Sequence, residues 1–412
     1  ALQEAGIQGR DIAGIGFSGQ MHGMVALDEN KQLACKAIIH LDQRSSLELK
    51  EIRTLAGNLM TEELLNQPSA GMMISSLYWL KKHQKETYDR IRYVMSPKDY
   101  ISFRLCGEIG TEYTDAGAAL GFSVKNYRWC TELFKRLELK EEIWPPVHKS
   151  FEIAGNVTAE AAEETGLSTS TKVIYGAGDS MAALTGNGII ESGFITCNIG
   201  TSSQLAVVVD KPIFDPKMRI QTWCHTVPKR WVVQSGTLNG GSVLSWLRNN
   251  MLKTDETFAQ LDQEAGLTPA GADGLYFLPY LAGERTPYND PYAKGVFFGL
   301  SMMHQQGHLV RSAMEGILFN LKECLYILDE MKVDRSRLIA SGGAARGVTW
   351  KQIQADVLNM PVYSTNVKEE ACQGAAILAA VGVGFFKDIK EGCQAAVTMS
   401  PEVVEPILEN VK

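Results

Sequence analysis

Asp179 ends the turn Gly176-Ala177-Gly178-Asp179, just after the strand-like run Lys172 to Tyr175. A carboxylate at the C-terminal end of a strand, facing a cleft, is placed to act as a general base. The same residue suits the cap of a helix starting at Ser180, and spacing alone leaves both roles open. Gly200-Thr201-Ser202 joins two strand-like runs and can aim successive amides and hydroxyls at one point, a concavity suited to an anion. A plain hairpin turn has the same sequence pattern. Asn239-Gly240-Gly241 and Ser341-Gly342-Gly343-Ala344-Ala345 each join a strand to a helix. Glycine there lets a ligand approach the backbone, and the helix dipole favours phosphate. One such junction says little, but three in one half of the chain, each at a strand end, point beyond turns alone. Gln20-Met21-His22-Gly23 follows a strand and a turn. Polar groups beside a small apolar contact suit a hydroxyl-rich ligand, while a packed Met and a satisfied His are the plainer alternative. Within Tyr280 to Tyr288, Glu284-Arg285 reads as a buried ion pair shaping a loop.

These residues need strands and helices to hold them. Ile12 to Phe17 predicts a buried strand, and Met24 to Leu27 and Ala34 to Leu41 predict two strands around a turn. Ser45 to Met60, Gly71 to His83 and Pro97 to Leu105 carry helical patterns. Residues 106 to 150 show no clean period and read as loops and short helices. Thr158 opens a capped helix that ends near Gly166. In the second half, strands are expected at Phe194 to Ile199, Leu205 to Val209, Trp231 to Gln234 and Arg337 to Ala340. Helices are expected at Ser242 to Asn249, His308 to Met331 and from about Trp350. Strands alternate with helices, so the class is α/β. The best boundary lies near Ile190, giving domains 1–190 and 191–412 packed around a cleft.

Composition excludes several function classes. The chain has 412 residues, 45% apolar and 21% charged, which is globular rather than disordered. Lys plus Arg is 40 against 47 Asp plus Glu, a net −7, so nucleic acid is not an expected partner. No run reaches the roughly 18 uninterrupted apolar residues of a membrane span, and nothing at the start reads as a signal peptide. The eight cysteines are far apart with no C-x-x-C, which predicts free thiols and a cytoplasmic setting rather than zinc or disulfides.

Gly295-Val296-Phe297-Phe298-Gly299-Leu300, followed after seven residues by His308-Leu309 and Ser312-Ala313-Met314-Glu315, resembles the second signature of the FGGY carbohydrate kinases. Gly283-Glu284-Arg285-Thr286-Pro287, Ser18-Gly19-Gln20-Met21-His22-Gly23 and Pro97-Lys98-Asp99-Tyr100 are similar to xylulokinases in particular. The resemblance runs in order over essentially the whole chain. It implies two actin-like ATPase (ribonuclease H-like) α/β domains with a cleft between them, sugar bound mainly by the first and ATP by the second. It implies ATP-dependent phosphorylation of a sugar, D-xylulose first, with a gluconate or ribulose kinase or a non-catalytic binder as alternatives.

Carried over residue by residue, the resemblance makes Asp179 the base and puts Gln20, Met21, His22 and Ser180 with it around the sugar. It places Gly200, Thr201, Ser202, Gly241, Gly342, Gly343 and Ala344 around ATP. Mg²⁺ is implied as a cofactor, with no residue assigned to it, and a homodimer is a candidate assembly. Four positions depart from the pattern: Ser180 in place of Asn, His40 in place of Trp, Ser76 in place of Lys, and Gly347 in place of Ser or Asn. The family's opening Asp-x-Gly-Thr hairpin has no counterpart in these 412 residues. The expectation is therefore that they bind nucleotide weakly and phosphorylate little unless an upstream segment supplies it.

Overall fold

The computed structural model describes residues 2–411. The first half opens on two short strands, β1 (Gly14–Ile15) and β2 (Ser18–Gly19). The run Ile12 to Phe17 predicted a single strand. It is interrupted at Gly16, where a side-chain carbon would stand 2.4 Å from the carbonyl oxygen of Ala375. Val25–Leu27 pairs with Tyr93–Met95. The predicted partner, Ala34 to Leu41, forms no regular strand among the described residues; Ile38 bridges Met24, and Leu33, just before the run, bridges Leu27. Ala34 and Ile38 are buried there, but Leu33, Ile39 and Leu41 are exposed, so only part of the arm packs inward. The helical pattern of 45–60 folds as Leu49–Ala56, stops at Gly57, and resumes as a π turn over Met60–Leu64.

Helix α1 (Pro97–Cys106) starts from the Ser96 cap with proline in its first turn, and α2 (Tyr113–Ala118) starts from Glu112. Strands β3 (Ile153–Asn156) and β4 (Lys172–Ile174) pair antiparallel, and β1 lies parallel to β4. Between β3 and β4 the helix Ala159–Thr165 has the expected Thr158 cap and ends on Gly166 at φ 75°. Strand β5 (Ala177–Gly178) pairs parallel with β2, Gly178 opposite Gly19. Helix α3 (Asp179–Gly186) begins immediately.

The second half holds one six-stranded sheet. Its strands are β6 (Phe194–Ile199), β7 (Ser203–Val209), β8 (Gln221–Cys224) and β9 (Trp231–Thr237), then, beyond helices α4 (Gly241–Trp246) and α5 (Gln306–Glu330), β10 (Arg337–Gly342) and β11 (Val362–Tyr363). The order is β8-β9-β7-β6-β10-β11. Six of the seven β7 residues are buried, the pattern of a strand covered on both faces. Helix α5 covers one face. Its Gly316 lets the chain approach closely: a side-chain carbon there would stand 2.1 Å from the Phe277 carbonyl oxygen. Helix α4 covers less than the expected Ser242 to Asn249, because the chain widens into a π turn over Leu247–Leu252.

The chain then returns to the first half. Helix α6 (Glu370–Gly382) lies on α3 so closely that a side-chain carbon on Gly374 would sit 1.9 Å from the Ala182 carbonyl oxygen. Ile377, Leu378, Val381, Ile389 and Cys393 belong to the core that holds Met21, Ala177 and Met181. The backbone passes between the two bodies around 187–193, 365–369 and 397–399, and the three passages lie together. Thr365 Oγ1 donates to Asn187 Oδ1 at 2.8 Å, Thr365 bridges Met399, and Gly188 faces Val397. All eight cysteines are free thiols. Among the described residues no helix is long and apolar enough to cross a membrane.

Candidate active site

Strands β2 and β5 run parallel and end level with each other, Gly19 opposite Gly178. The residues that follow, Gln20 and Asp179, therefore leave the same edge side by side, the place where open α/β sheets bind ligands. Asp179 occupies the first turn of α3, but the cap position is Gly178. Its Oδ1 accepts from the neighbouring Ser180 amide, at 2.6 Å, and among the described residues it caps none of the later amides of the helix. The side chain opens to solvent on one side and is crowded by protein on the other. That loss of water pushes its carboxyl pKa up, with the Ser180 amide and His40 opposing.

Met21 is buried under this turn, where a side-chain carbon on Gly178 would lie 2.5 Å from its Cγ. It forms the floor as a packed residue. His22 is half-buried at φ 74°, its ring tilted against Trp223 at 5.4 Å. Burial lowers its pKa to about 4, so the ring is neutral at neutral pH. Its Nδ1 lies 2.9 Å from the Ala118 carbonyl oxygen, which can only accept. The proton is therefore on Nδ1, and Nε2 offers a lone pair to a hydroxyl donor. Gln20 Oε1 accepts from His40 Nδ1 at 2.9 Å. Ser180, next to Asp179, also lines a narrow space shared with Asn198, Gln204 and Ser341.

The glycine turns form a second cluster. Parallel pairing sets Ile199 opposite Gly342, so the tips of β6 and β10 end together. Thr201 and Ser202 are exposed at the hairpin tip, and their hydroxyls bond to nothing among the described residues. The amides of Gly241 and Ser242 are occupied. They donate to the carbonyl oxygens of Gly200 and Thr201 at 2.7 and 3.1 Å, so the start of α4 holds the hairpin rather than offering amides to an anion. Gly342 sits at φ 72°, and a side-chain carbon there would press on the Ile199 carbonyl oxygen at 2.8 Å. Gly342 and Gly343, with Arg346 and the segment around Thr365 to Ala371, line an open cavity of about 740 Å³ that Ala183 of α3 closes from the first half. Ala344 is buried behind it.

The Glu284–Arg285 pair expected from sequence does not form. Glu284 is buried and accepts from the Leu238 and Arg285 amides, both at 2.7 Å, and from the side chains of Asn239 (3.1 Å) and Asn320 (2.7 Å). It fixes the turn before α4 through neutral donors. Arg285 is exposed and donates from Nε to the Gly236 carbonyl oxygen at 2.9 Å. Together with His40 its charge disfavours a proton on His22, which puts both within electrostatic reach of that ring. Neither was assigned there from sequence. The only signals were the departure at position 40 and the loop motif around position 285. Among the described residues no three His, Cys, Asp or Glu side chains converge as a metal site.

Residues 1–186 match the N-terminal domain of the FGGY family of carbohydrate kinases, and residues 195–383 match its C-terminal domain. The chain is 34% identical to a xylulose kinase of Staphylococcus epidermidis over 99% of its own length and 81% of that protein. It is 30% identical to a gluconokinase of Bacillus subtilis over 90% and 75% of the two chains. Among solved structures, the ligand-bound xylulose kinase of Lactobacillus acidophilus superposes with a TM-score of 0.90 at 27% identity, covering 99% of this chain and 83% of that one.

Proposed function

The chain belongs to the FGGY family of carbohydrate kinases, and from that premise we propose that it phosphorylates D-xylulose, with residues 1–190 holding the sugar and 191–412 the nucleotide. The observation that carries this reading is the β2–β5 register, from which Gln20 and Asp179 leave the same sheet edge side by side. The carboxylate takes the proton of the attacking hydroxyl. That oxygen bonds to the γ-phosphorus, and the bond to the β-phosphate oxygen breaks to release ADP. Nε2 of His22 accepts from a second sugar hydroxyl and fixes the orientation. The hydroxyls of Thr201 and Ser202 and the backbone at Gly342 and Gly343 face the phosphates. Mg²⁺ is general to the family and would supply charge neutralisation on the phosphates. With no convergent ligand set among the described residues, no step is derived through it. The free thiols suit a reducing, cytoplasmic setting.

Gluconate is the second reading, because the chain is also 30% identical to a gluconokinase of Bacillus subtilis. A coupled ADP-release assay on a panel of xylulose, ribulose, gluconate and glycerol, run on a chain that carries the family's Asp-x-Gly-Thr hairpin, decides. Turnover highest on xylulose supports the first reading, and turnover highest on gluconate replaces it.

His22→Ala is expected to raise the sugar KM by a few-fold to about tenfold, the scale of one lost hydrogen bond at ~0.5–1.5 kcal/mol, and to leave the ATP KM near its parent value. Equal rises in both would make His22 a folding residue. Glu284→Gln puts an NH₂ against donors that need an acceptor. It is expected to cost about 1–3 kcal/mol of stability and to raise the ATP KM more than the sugar KM. An unchanged melting curve would show that the Glu284 contacts are not what holds the turn.

A further inference from the structure

Behind Gly178 lies an ionic cluster sealed from water. Lys98 and Asp99 of α1, Glu112 at the cap of α2 and Asp115 within α2 have side chains at most 1% exposed. Lys98 Nζ lies 2.7 Å from Asp99, 3.3 Å from Asp115 and 3.7 Å from Glu112. It also donates to the Tyr175 carbonyl oxygen at 3.0 Å. Tyr175 starts the turn that carries Asp179. The rest of that turn is tied to the same cluster. Gly178 N–H donates to Thr114 Oγ1 (2.8 Å), which donates to Glu112 (2.6 Å). Gly176 N–H donates to the Ser150 carbonyl oxygen (2.9 Å), and Ser150 Oγ donates to Glu112 (2.7 Å).

Counting protons in this cluster shows where one is stored. Ser96 Oγ lies 2.7 Å from Asp99 Oδ2 and 2.8 Å from Asp115 Oδ2. A hydroxyl has one proton, so it can donate to only one of them. The other contact needs a proton of its own. Asp99 is already served by Lys98, and Glu112 accepts four hydrogen bonds, from the Thr114 and Asp115 amides and the Thr114 and Ser150 hydroxyls. Asp115 Oδ1 has no partner at all. An ionised buried carboxylate with an empty oxygen is expensive, whereas a neutral acid is not.

We propose that Lys98 and a protonated Asp115 form a positioning pair that presents Asp179: the ammonium anchors the turn at Tyr175, and the acid proton, given to Ser96, lets three carboxyls share one cation. This rests on the functional reading above for its effect on rate, but not for the proton itself. The groups facing Asp115 are Lys98, Asp99, Glu112 and the Ser96 hydroxyl; elsewhere on α2, the Cys224 thiol of β8 lies near Gly117 and the His22 ring against the Ala118 carbonyl. Burial first, then Asp99 and Glu112, push the Asp115 pKa to about 8 against the pull of Lys98. Burial alone would lower the Lys98 pKa, but the three carboxyl groups raise it.

The sign follows. Between 3.8 and about 8 the unfolded chain has lost this proton and the folded chain keeps it. This site therefore favours folding less and less as pH rises through that window. Asp115→Asn keeps a donor toward Ser96 and cannot titrate. The melting temperature of the parent is expected to fall relative to this variant between about pH 5 and about pH 8. Carbon-13-edited infrared of the parent should show a buried carboxylic-acid band at neutral pH that the variant lacks. The alkaline limb of kcat should move upward in the variant, and Lys98→Met should lower kcat by roughly 10–10²-fold with both KM values within about twofold. A pH-independent melting difference together with no acid band overturns the stored proton. An unchanged kcat in Lys98→Met overturns the positioning role. Absence of sugar-kinase turnover in a chain that carries the family's Asp-x-Gly-Thr hairpin would instead strike the functional reading, while the melting and infrared measurements still decide the proton.

Discussion

Asp179→Asn lowers kcat by roughly 10²-fold or more, the usual scale for a lost general base, and leaves the KM values for sugar and ATP close to their parent values. The asparagine keeps the size of the side chain and can still accept from the Ser180 amide, so the start of α3 stays in place. What disappears is the lone pair that takes the hydroxyl proton. The parent should also show an acid limb displaced upward from the 3.8 of an ordinary aspartate, because loss of water raises this carboxyl pKa. Below that limb the base is protonated and kcat/KM falls, and the variant loses the limb. A coupled ADP-release assay over pH reads both effects. Near-parental kcat in Asp179→Asn would remove the base assignment and leave only a charge at a helix start.

Gly374→Ala is expected to be among the most damaging single-methyl additions in the chain. Its Cβ would stand 1.9 Å from the Ala182 carbonyl oxygen, a backbone atom that no rotamer change can move. Helices α3 and α6 must separate, which should cost about 1–3 kcal/mol or more and lower the melting temperature by several degrees. Because α3 begins with Asp179, kcat should fall as well. Cys372→Ala, at an exposed site of the same helix, is the control and should stay within about 0.5 kcal/mol of the parent. Equal melting curves for the two variants would mean that the contact is looser than 1.9 Å.

Much of this architecture is legible in the sequence because it is local. The Thr158 cap and Gly166 stop, the Phe194–Ile199 strand with its glycine hairpin, and the long helix under the second sheet announce themselves through neighbours within a few residues. The sites are legible only as points. Asp179 and Gln20 were each found, but their adjacency comes from a strand register spanning most of the first half. Lys98 reaches the carbonyl of Tyr175, 77 positions away, and no periodicity carries that information. Glu284 next to Arg285 looks like an ion pair because opposite charges stand together in sequence. In the fold, backbone and asparagine donors satisfy the carboxylate before the guanidinium can. The need for glycine at position 16 has no local signal either, since the carbonyl that leaves no room for a side chain there belongs to α6.

The three backbone passages between the bodies meet at Asn187, Thr365 and Met399, and that makes them a fulcrum. Three strands of chain bundled at one spot resist sliding and permit rotation about it. Helix α3 ends at this fulcrum and begins at Asp179, eight residues away. At 1.5 Å per residue its lever arm is about 12 Å, so each degree of rotation swings the carboxylate by about 0.2 Å against the hairpin tip of the other body. A few degrees therefore covers the distance between a reacting hydroxyl held in line and one held out of reach.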